Sequence, residues 1–161
     1  MSANMDPREV AAPIVECGED LVRMESVASL RVAARSGPAT LLRVTVIDRL
    51  VTAQSLLPRG LRLLILEGYR QLAAEPGAAQ CAGLHATGGA VDLTLCTESG
   101  AAVPIDGPGT GEPPNRLILD RALTAAGLVN LPAARWHWCY GDVYWCYRTG
   151  AATARYGPIR S

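Results

Sequence analysis

The chain has 161 residues, fifteen Arg and no Lys, fifteen acidic residues, two His, five Cys and no Phe, and a formal net charge of zero. That length is enough for one domain with a proper core and no disulfide staples. The neutral balance with no basic stripe argues against a nucleic-acid partner. No run reaches the roughly 18 apolar residues of a membrane helix, and Met1 to Pro13 has no apolar core of a secretory signal. Cys17, Cys81, Cys96, Cys139 and Cys146 show no CxxC spacing, so neither a zinc ribbon nor a redox motif is expected. Reduced thiols in a cytoplasmic setting are the simplest expectation.

Residues 1–25 are expected to be loosely structured, and 26–161 to form a single domain. Val27 to Arg35 is weakly strand-like. From Pro38 the apolar stripe Leu42, Val46, Leu50, Ala53, Leu57 has helical spacing, closed by Pro58 and Gly60. Leu61 to Glu67 is a short, nearly continuous apolar run that predicts a buried strand, delivering Glu67-Gly68-Tyr69-Arg70 to its end. Gln71 to Leu84 reads as a short helix followed by a loop. Ala90 to Cys96 alternates, with Val91, Leu93 and Leu95 on one face and Asp92, Thr94 and Cys96 on the other. Glu98 to Pro114 is rich in Gly and Pro and predicts a long surface loop. Asn115 is expected to cap a helix carrying Leu119, Leu123 and Ala126, ended by Gly127. Arg135 to Tyr140 and Val143 to Tyr147 read as two aromatic strands joined in a hairpin at Gly141-Asp142. The fold class expected is α+β, an antiparallel sheet with flanking helices.

Both histidines sit in segments suited to a metal. His85 and Asp92 are seven residues apart, which on an unbroken strand would put them on opposite faces. Gly88 and Gly89 between them permit a turn or bulge that returns His85 to the Asp92 face. His137 lies on an alternating segment that shares a face with Cys139, with Trp136 and Trp138 opposite. If the strands carrying Asp92 and His137 are neighbours, two imidazoles and one carboxylate converge. That is the ligand set of a catalytic zinc site, which keeps a position for water or substrate. The alternative is that each His is an ordinary hydrogen-bonded residue and Asp92 a turn residue.

The segment His85-Ala-Thr-Gly-Gly-Ala-Val-Asp92 resembles the H-x-x-G-x-A-x-D ligand segment of the zinc D-alanyl-D-alanine dipeptidases. Trp136-His137-Trp138, with Gly141-Asp142 and Trp145, is similar to that family's E-W-W-H and G-D-x-x-W elements, and Gly68-Tyr69-Arg70 to its G-Y-R. The segment from Asn115 to Asn130 matches the helix that precedes the second histidine in that family. The likeness covers most of residues 40–158, with the motifs in order. It implies the fold shared by these dipeptidases, D,D-carboxypeptidases and hedgehog signalling domains, with Zn2+ as cofactor held by His85, Asp92 and His137. It implies that Arg70 is the catalytic arginine stabilising an oxyanion, a role that suits a guanidinium. The alternative for Arg70 is a salt bridge with Glu67. Tyr69 is expected to pack under the site and Asp142 to turn the hairpin.

The chain departs from the family pattern where it matters most. The family's general acid/base glutamate, three residues before the second histidine, is Ala134 here. Losing such a group typically lowers rates by about 10²–10⁴-fold, and the neighbouring Arg135 is a permanent cation. Gly83 stands where Ser is usual and Gln71 where Pro is usual, and only fourteen residues separate Arg70 from His85. Cys139 lies on the His137 face and Cys96 on the Asp92 face, so either thiol can border the site, and both are expected as small buried hydrophobes.

Three functions follow. The first is a rewired zinc enzyme using Lewis-acid chemistry on a small amino-acid- or peptide-derived substrate in bacterial metabolism, with Glu67, Tyr69, Ala134, Trp136 and Cys139 around the pocket. The second is a D,D-dipeptidase in which Glu67 or Glu112 replaces the lost acid. The third is a non-catalytic zinc-dependent binding module. The expected partner is a small-molecule or dipeptide-like substrate, with no nucleic acid and no membrane.

Overall fold

The structure, a computed structural model, describes residues 6–33, 37–72, 82–105 and 114–160. It is mixed α+β. A short strand β1 (Leu21–Arg23) is followed by β2 (Arg31–Val32), β3 (Leu41–Arg43) and α1 (Val44–Leu56). Then come β4 (Leu61–Glu67), α2 (Ala82–His85), β5 (Ala90–Thr97) and α3 (Pro114–Ala125). The chain finishes with β6 (Val129–Leu131), β7 (Ala134–Cys139) and α4 (Val143–Thr149).

Five strands form one sheet in the order β2-β4-β5-β7-β6, antiparallel except for the parallel β2–β4 pair. The remaining two, β1 and β3, form an antiparallel pair of their own. The alternation expected of Ala90 to Cys96 is realised in β5, whose Val91, Leu93 and Leu95 are fully buried. They meet Leu63 and Ile65 of β4, and Val46, Ile47, Leu50 and Ala53 of α1 with Leu119, Ala122 and Leu123 of α3 complete the layer. Each fully buried aliphatic side chain there contributes about 1.5–3 kcal/mol of transfer free energy. Asp92 and Thr94 therefore face away from this helical layer.

Several boundaries differ from the pattern reading. The helix expected from Pro38 begins at Val44, because Pro38–Thr40 makes a 3-10 turn and Leu41–Arg43 is recruited as a strand by Leu21–Arg23. Of the strand expected over 27–35, the described residues, which end at Ala33, form a strand only at Arg31–Val32. Of the 71–84 segment, only Gln71, Leu72 and Ala82 onward are described, and the helical part is Ala82–His85. In the expected 98–114 loop, Val103 N–H donates to Leu95 O and Ala102 bridges Cys96, so its first half folds back on β5. Glu112 lies outside the described residues. Asn115 is the second residue of α3 and not its cap, and its Nδ2 donates to Pro104 O at 3.0 Å.

The hairpin at Gly141-Asp142 is not formed. Val143–Thr149 is a helix, and Asp142 is its N-cap, accepting from Trp145 N–H at 2.8 Å. The aromatic and β-branched residues of this stretch mimic a strand, but a capping carboxylate overrides that preference. Gly141 has φ +74°, and a Cβ there would meet the Tyr156 ring at 2.5 Å. The hairpin partner of β7 is instead β6, joined to it by Pro132-Ala133.

The N-terminal segment is not loose over the residues described. Val15 N–H donates to Ala154 O and Cys17 N–H to Arg155 O, while Ala154 N–H donates to Pro13 O. Two acids anchor it. Glu16 receives two bonds from Arg43, at 2.9 and 3.2 Å, and one from Gly157 N–H. Glu19 accepts from the Thr45 hydroxyl at 2.6 Å and the Tyr156 hydroxyl at 2.8 Å. Burial opposes ionisation of both carboxyls, yet these donors hold each below the usual glutamate range. No helix among the described residues is long and apolar enough to cross a membrane.

Candidate metal centre

The sheet register builds the site. Glu67 of β4 stands opposite Asp92 of β5, and Asp92 stands opposite His137 of β7. Three polar groups thus lie in a row across three adjacent strands, on the face away from the helical layer. A bulge between Ile65 and Glu67 brings Glu67 into that row. His85 arrives from the end of α2, and the turn through Gly88 (φ +72°) and Gly89 carries the chain into β5. A Cβ on Gly89 would meet Tyr140 O at 2.6 Å, so only glycine lets β5 start against β7 there. The turn expected at these glycines is present, and it places His85 and Asp92 together.

His85 Nε2 lies 3.2 Å and His137 Nδ1 3.0 Å from the same oxygen, Asp92 Oδ1. One ligand atom from each of the three residues falls within 4.8 Å of the others, and this is the one such group among the described residues. Four ligands at about 2.0–2.1 Å around a tetrahedral ion are separated by about 3.3 Å, close to the two distances seen. Both imidazoles are fully buried.

Proton placement tests whether a cation fits. His85 Nδ1 is 2.6 Å from Gly68 O. A carbonyl only accepts, so Nδ1 carries the hydrogen. In the neutral ring, Nε2 then points a bare lone pair at the Asp92 carboxylate. Two acceptors face each other at hydrogen-bond distance, which only a cation between them or a proton on the ring relieves. The carbonyl on the distal nitrogen is also the usual outer partner of a metal-bound imidazole. On the other ring it is Nδ1 that faces Asp92, and Nε2 on the far side is buried without a hydrogen-bond partner, so the fit to a cation is carried by His85 and Asp92. The residues therefore fit a metal ion.

The electrostatics agree with this donor set. Burial alone would raise the Asp92 carboxyl, but the two imidazoles beside it, His137 first and then His85, outweigh burial and hold the group at about 2. Burial pushes His137 down, against the pull of Asp92, and the charges of His85 and Arg70 push the same way. Asp92 is thus a carboxylate and His137 a neutral imidazole near neutral pH, the protonation states a metal requires.

An open cleft of about 390 Å³ reaches the cluster at Asp92 and is lined by Ala33, Leu66, Glu67, Asp92 and Trp136, with the two histidines buried behind it. Arg70 binds both oxygens of Glu67, Nε to Oε1 at 2.9 Å and Nη2 to Oε2 at 2.6 Å. Its backbone N–H donates to His85 O at 3.3 Å, tying the Arg70 segment to the one that carries His85. Tyr69 is half-buried, with its N–H donated to Leu41 O.

Ala134 and Cys139 are not cleft residues. Both belong to a second apolar cluster with Leu84, Ala90, Leu131 and Tyr144, where Ala134 is 6% exposed. Cys96 is likewise buried, and burial raises its thiol.

Trp136 corrects the alternation argument. It was expected opposite His137 beside Trp138, but only Trp138 enters the core. The β5–β7 ladder ends at His137, and the β6–β7 register jumps so that Leu131 faces Ala134 while Asn130 faces Trp138. Residues 135–137 bulge, and Trp136, freed from the pleat, turns to the cleft.

Two residues unremarked in the sequence hold that bulge. Asn130 Nδ2 donates to Arg135 O at 2.9 Å and to His137 O at 3.0 Å, and the buried Arg116 donates to Arg135 O at 2.9 Å. On the other side, buried Arg43 donates Nε–H to Thr87 O at 2.8 Å and its backbone N–H to Gly88 O at 3.0 Å. These brace the turn after His85. No local pattern announces either brace.

No protein-family model matches the chain, and no curated protein matches it significantly.

Proposed function

We propose that this chain is a zinc-binding protein of the D-alanyl-D-alanine dipeptidase-like fold whose active site has been rewired, serving a metal-assisted reaction on a small amino-acid- or peptide-derived substrate. The observation that carries the reading is the shared oxygen: His85 Nε2 and His137 Nδ1 both converge on Asp92 Oδ1, with His85 oriented by Gly68 O. Two imidazoles and a carboxylate with an open cleft beside them suit zinc in a catalytic rather than a structural role. Zinc, when bound, supplies Lewis acidity toward a carbonyl or carboxylate oxygen.

The chain's own residues define what else can happen. Gly68 O fixes the His85 tautomer, and Asp92 and His137 face each other across one ladder position. Arg70, oriented by its two bonds to Glu67, supports a guanidinium beside developing negative charge on substrate. At position 134 a methyl group packed among Leu84, Leu131 and Tyr144 can neither accept nor deliver a proton. That absence favours a non-hydrolytic step such as cyclisation, elimination or isomerisation.

A second reading rests on one observation: Glu67 lines the cleft in register with Asp92. In that reading the protein is a D,D-dipeptidase, and a Glu67 carboxylate oxygen takes the proton from the attacking water and passes it to the leaving amine.

One experiment separates them. The protein is freed of metal, reloaded with zinc, analysed for metal content and assayed for D-Ala release from D-Ala-D-Ala. The first reading expects one zinc per chain and no release. Release that disappears in Glu67→Gln establishes the second reading, and failure to take up stoichiometric metal overturns both.

A further inference from the structure

The cleft is polar in its middle and apolar at its flanks. In sheet order, Ala33 follows β2, Leu66 and Glu67 end β4, Asp92 lies on β5 and Trp136 on β7. The carboxylates of Glu67 and Asp92 stand between Leu66 on one side and the Trp136 indole on the other. Trp136 is 53% exposed, although the chain buries Trp138, two residues away, to 1%. An indole withheld from the core and turned into a concave site beside metal ligands is a contact surface awaiting an apolar partner.

The charges specify the other end of that partner. A divalent ion with Asp92, Glu67 and Arg70 leaves one net positive charge on this set of groups. Such a set favours a singly anionic head group offering oxygen to the metal.

From this arrangement, which rests on the zinc reading above, we infer that the ligand is amphipathic: an anionic oxygen-donor head seated over Asp92 and the two histidines, and a flat aromatic or apolar arm lying on Trp136. Trp136 is then the specificity residue of the cleft. It sets which arm is accepted and leaves the head group's contacts untouched. A substrate with only methyl-sized side chains would leave the indole wet.

The test uses two oxygen-donor probes on the zinc-loaded full chain, acetohydroxamate and phenylacetohydroxamate, with binding measured by calorimetry and tryptophan emission. The expected result is that the phenyl probe binds about tenfold more tightly and perturbs emission, while Trp136→Ala abolishes the gain and leaves acetohydroxamate unchanged. Trp136→Phe, which keeps a flat ring, should retain most of it. Trp136 is half exposed, so neither substitution opens the core. Equal affinities for the two probes, or a gain that survives in Trp136→Ala, would overturn the assignment of Trp136. Failure of both probes to bind, with no stoichiometric zinc taken up, would overturn the metal reading and this inference with it.

Discussion

Asp142 → Asn should remove a pH-dependent weakness from the fold. The carboxyl is fully buried, its Oδ1 caps α4 through Trp145 N–H, and its Oδ2 is buried without a hydrogen bond of ordinary geometry. Burial outweighs the help of Trp145 N–H, the Cys139 thiol and Tyr144 N–H, and pushes the group from 3.8 to about 6. A folded value above the unfolded one means the stabilisation is complete below about pH 3.8 and is lost as pH rises through 6. At 1.36 kcal/mol per pH unit the full loss is about 3 kcal/mol, of which about 2 kcal/mol falls between pH 4.5 and 7.5. Asparagine caps helices as well as aspartate does, so the variant keeps the cap and loses the titration. Urea unfolding of both proteins across that range, with chelator present to exclude metal uptake, should show the variant gaining about 2 kcal/mol on the wild type as pH rises. Other titrating groups cancel in the difference. Parallel stability curves would show that Asp142 does not carry a buried charge above pH 6.

Five further substitutions test the braces, the candidate metal-binding residues and position 134. His85→Ala and His137→Ala should each abolish the one-equivalent zinc uptake expected of the wild type, read by elemental analysis after dialysis. Asn130→Ala removes the donors to Arg135 O and His137 O; it should cost about 1–2 kcal/mol in urea unfolding and weaken zinc binding about tenfold in chelator competition. Arg43→Met removes the donors to Thr87 O, to Glu19 O and to the partly exposed Glu16 carboxylate, and a loss of about 1.5–3 kcal/mol is expected by thermal or urea unfolding. Ala134→Glu places a carboxylate among Leu84, Leu131 and Tyr144; the unfolding midpoint should fall, and fall further at pH 8 than at pH 5 because the buried acid resists ionisation.

The clustering of His85, Asp92 and His137 was legible because histidine is scarce and because glycine at 88 and 89 has a backbone purpose that can be reasoned from chain geometry. β4 and β5 were legible for a related reason, since their burial is written in local runs of Leu, Ile and Val. α4 was not. Val143 to Tyr147 carries strand-type side chains, and what decides the matter is one capping bond from Asp142, a signal visible in the Gly-Asp pair once a helix is considered. The side on which Trp136 emerges depends on where the β5–β7 ladder stops, and no alternation rule encodes that. The N-terminal segment depends on partners far away: Glu19 meets Tyr156 across 137 residues of sequence. The groups that hold its acids, Arg43 and Thr45 on one side and Arg155 and Tyr156 on the other, all lie far from it in sequence.

The alanine at 134 and the carboxylate at 67 belong to one rearrangement in the proposed reading. Position 134 adjoins the apolar cluster that packs behind α2 and the start of β5, so a side chain there is buried with Leu84 and Ala90. A carboxylate would be desolvated at that position and would need a nearby partner to stay ionised. Glu67 sits on the opposite side of Asp92, open to the cleft and already paired with Arg70. Its charge is therefore matched before any substrate arrives, and its two oxygens are oriented by a forked donor. In the reading that makes Glu67 a base, proton chemistry there would require Arg70 to yield one of those bonds, and the proposed acid/base role of Glu67 would be coupled to the proposed anion binding of Arg70. A substrate bringing its own anionic oxygen to Arg70 would loosen Glu67 in the same event, and the site would gain a base only when occupied.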